Sequence, residues 1–357
     1  MNNKKNIMVV FGGPSNEYEV SCYSAAALIN TIDKEQYNII CVGITQNGTW
    51  LQTEMNYKDI ENGKWTNNKS NKRILLSNDS KLKGFYTLDD HLHTFQFVPI
   101  DIIFPVIHGK IGEDGIIQGL AELAGIPLVS TDLLSSVVCF DKCQTSRFIN
   151  SLGIKIPKNI IISKYCSELD FVKKELKKAD IKYPLFIKPS RSGSSIGITL
   201  VEDESGLTAA LSCAFKYDAN IIIEEQIKGS ELKIGVCGNK DDLILSEISQ
   251  VFIPGNGFED YESKYKKHNA TRFLPAKIAD DVRNEIIETT KKIYLALNFK
   301  VYARFDYFLT MDNQLYFNEI NTIPGLTEHS SFPEIFNTSG ISYTNLIQRM
   351  IDLTEEK

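Results

Sequence analysis

Val301-Tyr302-Ala303-Arg304-Phe305-Asp306-Tyr307 and Leu315-Tyr316-Phe317-Asn318-Glu319-Ile320-Asn321 alternate in the way that β-strands covered on two sides do. A tight turn at Asp312-Asn313 would join them as a hairpin. In that register Asp306 faces Glu319 and Arg304 faces Asn321, and all four side chains lie on one face because the side-chain period is two. Two facing carboxylates repel unless a cation sits between them. The pair therefore reads either as a divalent-metal site, Mg²⁺ being the ion suited to hard oxygen ligands and substrate phosphates, or as solvated residues on an open sheet face. The aromatic neighbours predict a mostly buried sheet, which favours the metal.

Around the hairpin the pattern predicts strands near Glu231–Cys237 and Leu243–Val251, an irregular loop over Pro254–Phe273, a long amphipathic helix over Ile278–Leu297 and a C-terminal helix over Tyr343–Leu353. Before these come a helix at Asp141–Leu152, a helix opening at Ser167 with Asp170 as an acidic capping-box variant, a strand at Tyr183–Lys188, a helix at Gly206–Phe215 and a strand at Asn220–Glu225. The first third alternates strand and helix: Ile7–Phe11, Glu17–Ile32, Asn38–Ile44, Asp101–Ile107, Gly115–Ala124 and Ile126–Val129. Such alternation predicts an α/β fold with a parallel sheet. The polar interval from Trp50 to Val98 reads as an insertion of hairpins and loops. Boundaries near 130 and 224 divide the chain into domains 1–130, 131–224 and 225–357, and 357 residues predict two to three domains.

Composition excludes several classes. Hydrophobic residues at 43% and charged residues at 24% describe a folded chain rather than a disordered or coiled-coil one. Lys+Arg 39 against Asp+Glu 45 gives a net charge of −6, which argues against nucleic acid as a partner. Seven cysteines without a C-x-x-C pair read as free thiols in a reducing cytosol. Ile7–Phe11 is too short for a signal segment and no apolar stretch is long enough to span a bilayer, so a cytoplasmic protein without a membrane partner is expected.

Three further segments carry chemistry. Lys188-Pro189-Ser190-Arg191-Ser192-Gly193-Ser194-Ser195-Ile196-Gly197 offers backbone N–H groups and hydroxyls that can wrap phosphate oxygens, with Lys188 reaching the same anion. It lacks the Walker signature, and an ordinary flexible connection is the other reading. Gly12-Gly13-Pro14-Ser15-Asn16-Glu17 lacks G-x-G-x-x-G, and its Glu17 either meets a cationic amine or serves as a first-turn acid. His108-Gly109-Lys110-Ile111-Gly112-Glu113-Asp114-Gly115 is either a ligand-contacting loop at the carboxyl end of a strand or a glycine-rich turn. Lys142, taken alone, reads as a solvated helix residue.

In order along the chain, the Gly12 and His108 segments, Asp141-Lys142, the Lys188–Gly197 loop, Asp260-Tyr261-x-x-Lys264-Tyr265, Arg304-x-Asp306 and Asn318-Glu319-x-Asn321-Thr322-x-Pro324-Gly325 resemble the D-alanine–D-alanine ligases of bacterial cell-wall synthesis and their D-alanyl-D-X relatives. The match spans nearly the whole chain. It implies a three-domain ATP-grasp architecture with an N-terminal Rossmann-like domain, and ATP-dependent ligation of two D-alanines through an acyl phosphate. By the resemblance, Lys142, Lys188 and Ser195 contact ATP on its phosphate side, and Glu224, Glu225, Ile227 and Glu231 line the adenine and ribose pocket. Asp306, Glu319 and Asn321 hold two Mg²⁺ ions, with Mn²⁺ as a substitute. Glu17 binds the ammonium of the first D-alanine with help from His108, and Glu17, Ser194 and Tyr265 clamp the loop over the site. Lys264 and Ser330 hold the carboxylate of the second substrate, and Arg304 with the Gly325 N–H stabilises the oxyanion. The small-molecule partners are D-alanine and ATP, and the resemblance extends to a homodimer.

Two departures bear on the acceptor. Ser331 stands where D-lactate and D-serine ligases of this family carry arginine and the common enzymes an apolar residue. Glu259 replaces a frequent aromatic, and His268 adds an imidazole, the side-chain type whose unperturbed pKa lies nearest neutrality. A D-alanine–D-serine ligase is therefore the runner-up, followed by a non-catalytic nucleotide-binding regulator and, least of all, a dehydrogenase.

Overall fold

The computed structural model describes residues 4–54, 56–89, 94–252 and 271–356. In the first part, β1 (Lys5–Gly12), β2 (Tyr37–Ile44), β3 (Trp50–Thr53), β4 (Lys72–Leu76), β5 (Gly84–Asp89), β6 (Thr94–Pro99) and β7 (Ile102–Pro105) form one sheet in the order β6-β5-β4-β3-β2-β1-β7. β1 pairs parallel with both β2 and β7, as the strand and helix alternation predicts. The insertion after Trp50 is not separate from this sheet: β3 to β6 extend it by successive antiparallel pairings. The Ile126–Val129 segment makes only an isolated bridge, Ile103 to Leu128. Helices α1 (Tyr18–Thr31), α2 (Tyr57–Glu61) and α3 (Ile116–Ala124) accompany the sheet. Every second residue of β1 faces one way: Ile7, Val9 and Phe11 pack with Ala25 and Leu28 of α1, while Met8 and Val10 pack with Ile117 and Ala121 of α3.

Helices α4 (Leu133–Phe140) and α5 (Lys142–Ser151) lead into a second sheet. It comprises β8 (Asn159–Ser163), β9 (Leu185–Pro189), β10 (Thr199–Val201) and β11 (Asn220–Glu225), ordered β10-β9-β11-β8 and antiparallel throughout. One face packs Leu185, Ile187, Ile221 and Ile223 under α6 (Leu169–Lys178) and α7 (Leu207–Ala214). By the period of two, the opposite face carries Phe186, Lys188, Ile222 and Glu224.

The third sheet holds β12 (Gly229–Asn239), β13 (Asp242–Leu245), β14 (Ser249–Phe252), β15 (Thr271–Phe273), β16 (Tyr302–Thr310) and β17 (Leu315–Asn321). Where one strand over Leu243–Val251 is expected, the chain breaks in two at Ser246, whose N–H donates to the Gly235 carbonyl and whose hydroxyl accepts from the Gly235 N–H. Leu232, Ile234, Ala303, Phe305, Tyr307, Leu315, Phe317 and Ile320 bury together with Val282, Ile286, Ile293 and Tyr294 of α8 (Asp280–Ala296). The hairpin has the expected register, with Asp306 opposite Glu319 and Arg304 opposite Asn321. Its ladder shifts between Asp306 and Tyr307, leaving Asn318 as the extra residue of a bulge. The bulge is what lets Leu315, Phe317 and Ile320 reach the same core although their spacing changes from two to three. The connection is also longer than the two residues read from the sequence: Thr310 N–H donates to the Gln314 carbonyl, and Asn313 takes the left-handed conformation, φ 59°.

The last two helices, α9 (Ser331–Thr338) and α10 (Tyr343–Leu353), turn back to the first sheet. Phe332, Phe336, Leu346 and Met350 share a core with Ile7, Val9 and Phe11. The far ends of the chain thereby hold the first and third sheets together around a cleft. No helix among the described residues is long and apolar enough to cross a membrane.

Candidate active site

The polar face of the third sheet is one wall of the cleft. Pairing of β12 with β16 and of β16 with β17 aligns Lys233, Asp306 and Glu319 in one row and Gly235, Arg304 and Asn321 in the next. Arg304 grips Asp306 with two parallel bonds, Nε to Oδ1 and Nη2 to Oδ2, both 2.7 Å, the strong bidentate geometry of guanidinium and carboxylate. Asn321 Nδ2 lies 3.4 Å from Asp306 Oδ2 and 3.5 Å from Glu319 Oε1. Burial pushes the Asp306 carboxyl up, and the Arg304 and Lys233 charges pull against that push. Burial likewise opposes the Arg304 charge, but Asp306, with Glu319 and Glu231 behind it, raises its pKa on balance.

The second sheet is the facing wall. Lys188 Nζ pairs with Glu224 Oε2 at 2.5 Å. Glu225 ends β11 and Ile227 lies in the short connection that carries the chain across to β12. Lys142 opens α5 and donates from Nζ to the Ser192 carbonyl at 2.6 Å. It is held there by its neighbour, since the Asp141 carboxylate caps α5 through Cys143 and Gln144 N–H groups and accepts from Ser190 Oγ. Burial lowers the Lys142 pKa, Glu319 raises it and Lys188 lowers it further. At the base of the Ser/Gly loop, Asp218 receives Arg191 Nε at 2.9 Å and Nη2 at 3.0 Å, together with the Arg191 N–H. At its tip, Ser194 and Ser195 both have positive φ, 50° and 59°, a conformation that costs a non-glycine residue energy and clusters at ligand clamps.

The first sheet closes the cleft. Glu17 stands at the N-cap of α1 without using its side chain as a cap. Its carboxylate lies beside two glycines: a Cβ at Gly193 would lie 2.9 Å, and one at Gly109 3.1 Å, from Glu17 Oε2. His108 is buried, with Nδ1 2.9 Å from the Ile323 carbonyl and Nε2 3.3 Å from Ser24 Oγ. A carbonyl only accepts, so Nδ1 carries the proton and Nε2 accepts from the serine. Burial lowers the His108 pKa against the pull of Glu17, consistent with that neutral tautomer. At the other end of the cleft, Gly325 lies close against Ser330, whose Oγ would be 3.0 Å from a Cβ at Gly325. Ser330 Oγ accepts from the Thr327 N–H at 3.1 Å, and Ser331 is the first residue of α9.

These walls enclose a cavity of about 130 Å³ into which Glu17, Lys142, Lys188, Ser194, Ser195, Glu224, Glu319 and Asn321 project. The structure thus brings those eight expected site residues to one space, with Arg304, Asp306 and Glu231 on the adjoining sheet face. Lys264, Tyr265 and His268, and most of the irregular loop expected over Pro254–Phe273, lie outside the described residues. Among the described residues, no group of three or more His, Cys, Asp or Glu forms a ready metal cluster. Two residues escaped the sequence reading. Lys233 hides in an alternating strand, and Glu113 in a glycine-rich segment. Glu113 lines the cavity and accepts from the Gly109 N–H at 3.0 Å. Burial, and then the Glu17 charge, pushes its carboxyl up to about 8.

Comparison with known proteins follows the same geography. The family model for the N-terminus of D-ala D-ala ligase matches residues 6–131, and that for the C-terminus matches residues 148–352. A D-alanine–D-alanine ligase of Thermoanaerobacter sp. (strain X514) is 38% identical over 99% of this chain and 97% of its own length. Among solved structures, the VanG D-Ala:D-Ser ligase from Enterococcus faecalis is 37% identical with a TM-score of 0.89, covering 99% of this chain and 100% of that one. The D-alanine–D-alanine ligase from Coxiella burnetii is 28% identical with a TM-score of 0.85, covering 98% and 94%.

The Glu113 proton has a measurable consequence in ligand-free protein. Below the ordinary value of 4.5 both folded and unfolded states are protonated; from there to about 8 only the folded state keeps the proton, so this group withdraws stability as pH rises and adds nothing further above. Glu113→Gln preserves an acceptor for Gly109 and removes the titration. In thermal melts, the variant's Tm advantage over wild type should grow between pH 5 and pH 8 (roughly the window of that shift) and then level off. A pH-independent difference would show that Glu113 carries no such proton.

Proposed function

The chain belongs to the D-alanine–D-alanine ligase family, and we propose that the cleft between its three sheets is where the family's reaction takes place. The protein is an ATP-dependent ligase that joins two D-alanines to D-alanyl-D-alanine for peptidoglycan synthesis. The observation that carries the site assignment is the convergence of Lys142, Lys188, Glu17 and Glu319 on one small cavity, with the Arg304–Asp306 pair beside Glu319 on the adjoining sheet face.

A carboxylate is a poor electrophile, so the first D-alanine takes the γ-phosphoryl group of ATP on a carboxylate oxygen and releases ADP. Glu17 holds the ammonium of that D-alanine, and neutral His108 fixes the wall beside it. Lys142, Lys188 and Ser195 accept the phosphate charge, with Glu224, Glu225, Ile227 and Glu231 on the adenine and ribose. The amine of the second D-alanine then attacks the acyl carbon, loses a proton, and displaces inorganic phosphate. Arg304 and the Gly325 N–H face the oxyanion that forms in this step, each donor being worth a few kcal/mol, ~3, in such sites. Ser330, with Lys264, holds the second carboxylate. Ser194, Tyr265 and Glu17 close the loop over the first substrate.

Asp306, Glu319 and Asn321 would hold the Mg²⁺ ions, two by family, with Mn²⁺ as a substitute. The donor set fits: three oxygen-bearing side chains share one face, and turning over the Asn321 amide presents Oδ1 where Nδ2 now approaches both carboxylates. When bound, such ions supply charge that offsets the transferring phosphoryl group. The domain division at 130 and 224, a cytoplasmic location and a homodimer belong to the same proposal. For the dimer, Ile116 and Leu123 of α3 with Leu134 and Val137 of α4 offer an exposed apolar surface, and light scattering should return twice 40.3 kDa; a monomer mass at working concentration would refute it.

Two assays address the chemistry. Glu319→Gln should cost on the order of 100-fold in kcat, the scale of losing one preorganised electrostatic partner, with Tm unchanged or raised; undiminished turnover would remove Glu319 from the metal set. A D-serine acceptor is the second reading, favoured by Ser331 and by the likeness to the VanG D-Ala:D-Ser ligase. With D-alanine and D-serine competing at equal concentration, the dipeptide formed should be D-alanyl-D-alanine. A D-serine product in roughly tenfold excess, about 1.4 kcal/mol of preference, would transfer the assignment to that reading.

A further inference from the structure

We infer that Lys233 is a third nucleotide-facing cation of this site, contacting the phosphates nearest the ribose. The inference rests on the ligase reading above and adds to it a residue with no role in that mechanism. Lys233 lies in the middle of β12, directly across the ladder from Asp306 and two residues along the same face from Glu231. Same-face neighbours on a strand are about 7 Å apart. That is the span from a ribose hydroxyl to the inner phosphates, so an ammonium between the ribose carboxylate and the metal carboxylate lies where the phosphate chain must run.

The side chain is enclosed, 7% exposed, and the other face of β12 is apolar core. A buried ammonium needs acceptors for three N–H bonds. Among the described residues, the contact found for Lys233 is a long one, Nζ to Glu231 Oε2 at 3.5 Å. Asp306, its cross-strand neighbour, already gives both oxygens to Arg304. With one long contact for three N–H donors, Lys233 keeps donor capacity on the sheet face that carries Asp306 and Glu319, which a phosphate oxygen would satisfy.

The test is calorimetric titration of the full chain with ADP and with adenosine in the presence of Mg²⁺. Lys233→Met, which keeps the stem and removes the charge, should bind ADP about tenfold more weakly, the lower end for one charge-assisted contact, while adenosine binding stays within twofold and Lys233→Arg stays within threefold for ADP. Should the methionine variant fail to fold, Lys233→Gln, which can still donate to Glu231, carries the same expectation. An ADP affinity within twofold of wild type, or equal losses for ADP and adenosine, would overturn the role of Lys233. Wild-type protein that binds neither ligand would instead overturn the ligase reading itself.

Discussion

The cleft depends on one constraint: charges that must converge for catalysis have to be neutralised while no substrate is there. Glu231, Asp306 and Glu319 share a mostly buried sheet face with Lys233 and Arg304. An ion withdrawn from water without a partner costs several kcal/mol, and breaking one half of a buried pair costs about 3–5 kcal/mol. The Arg304–Asp306 pair, the Lys188–Glu224 pair and the bond from Lys142 to the Ser192 carbonyl are therefore conditions for the folded resting state. Each also marks a place where a ligand must offer an equivalent charge. In the proposed reaction phosphate oxygens would take the place of Glu224 at Lys188, and Asp306, as one of the residues that would hold the metal, would be the partner from which Arg304 turns to the oxyanion.

The scaffold meets this constraint by packing the opposite faces of both walls chiefly with apolar side chains. Leu232, Ile234, Phe305 and Tyr307 under α8, and Ile187, Ile221 and Ile223 under α6 and α7, anchor the strands that carry Lys188, Glu224, Lys233 and Asp306. Burying a single such side chain stabilises by about 1.5–3 kcal/mol, so a few per strand outweigh the cost of holding charges on the other side. The same alternation sets catalytic geometry, because a one-residue slip would send every charge into the core.

How much of this was legible in the sequence follows from the range of the interactions involved. The register of Asp306 against Glu319 could be read because it depends on two neighbouring strands and one turn. The bulge at Asn318 was missed, although the change from a spacing of two (Leu315, Phe317) to three (Phe317, Ile320) signals it. Leu243–Val251 looked like one strand because the break at Ser246 is made by hydrogen bonds to Gly235, eleven residues upstream. The packing of α9 and α10 on β1 joins residues more than three hundred positions apart, which no local pattern records. At the site, residue types with a phosphate or metal pattern stood out, while Lys233 and Glu113 did not. A lysine in a strand and a glutamate in a glycine-rich turn acquire meaning only from what the fold sets opposite them.

The Ser/Gly loop shows why these long-range contacts matter for the reaction. Its base is fixed by Arg191 on Asp218, its backbone takes the Lys142 ammonium at Ser192, and its Gly193 lies beside the Glu17 carboxylate. One short segment therefore touches the residue placed at the phosphates and the residue placed at the amino acid's ammonium. In the proposed reaction an ammonium at Glu17 would bear on the carboxylate beside Gly193, and a phosphate at Lys142 would compete with the Ser192 carbonyl, so both substrates would act on the one loop whose Ser194 and Ser195 hold the left-handed conformation. Water destroys an acyl phosphate, and a loop that both substrates touch is suited to covering it.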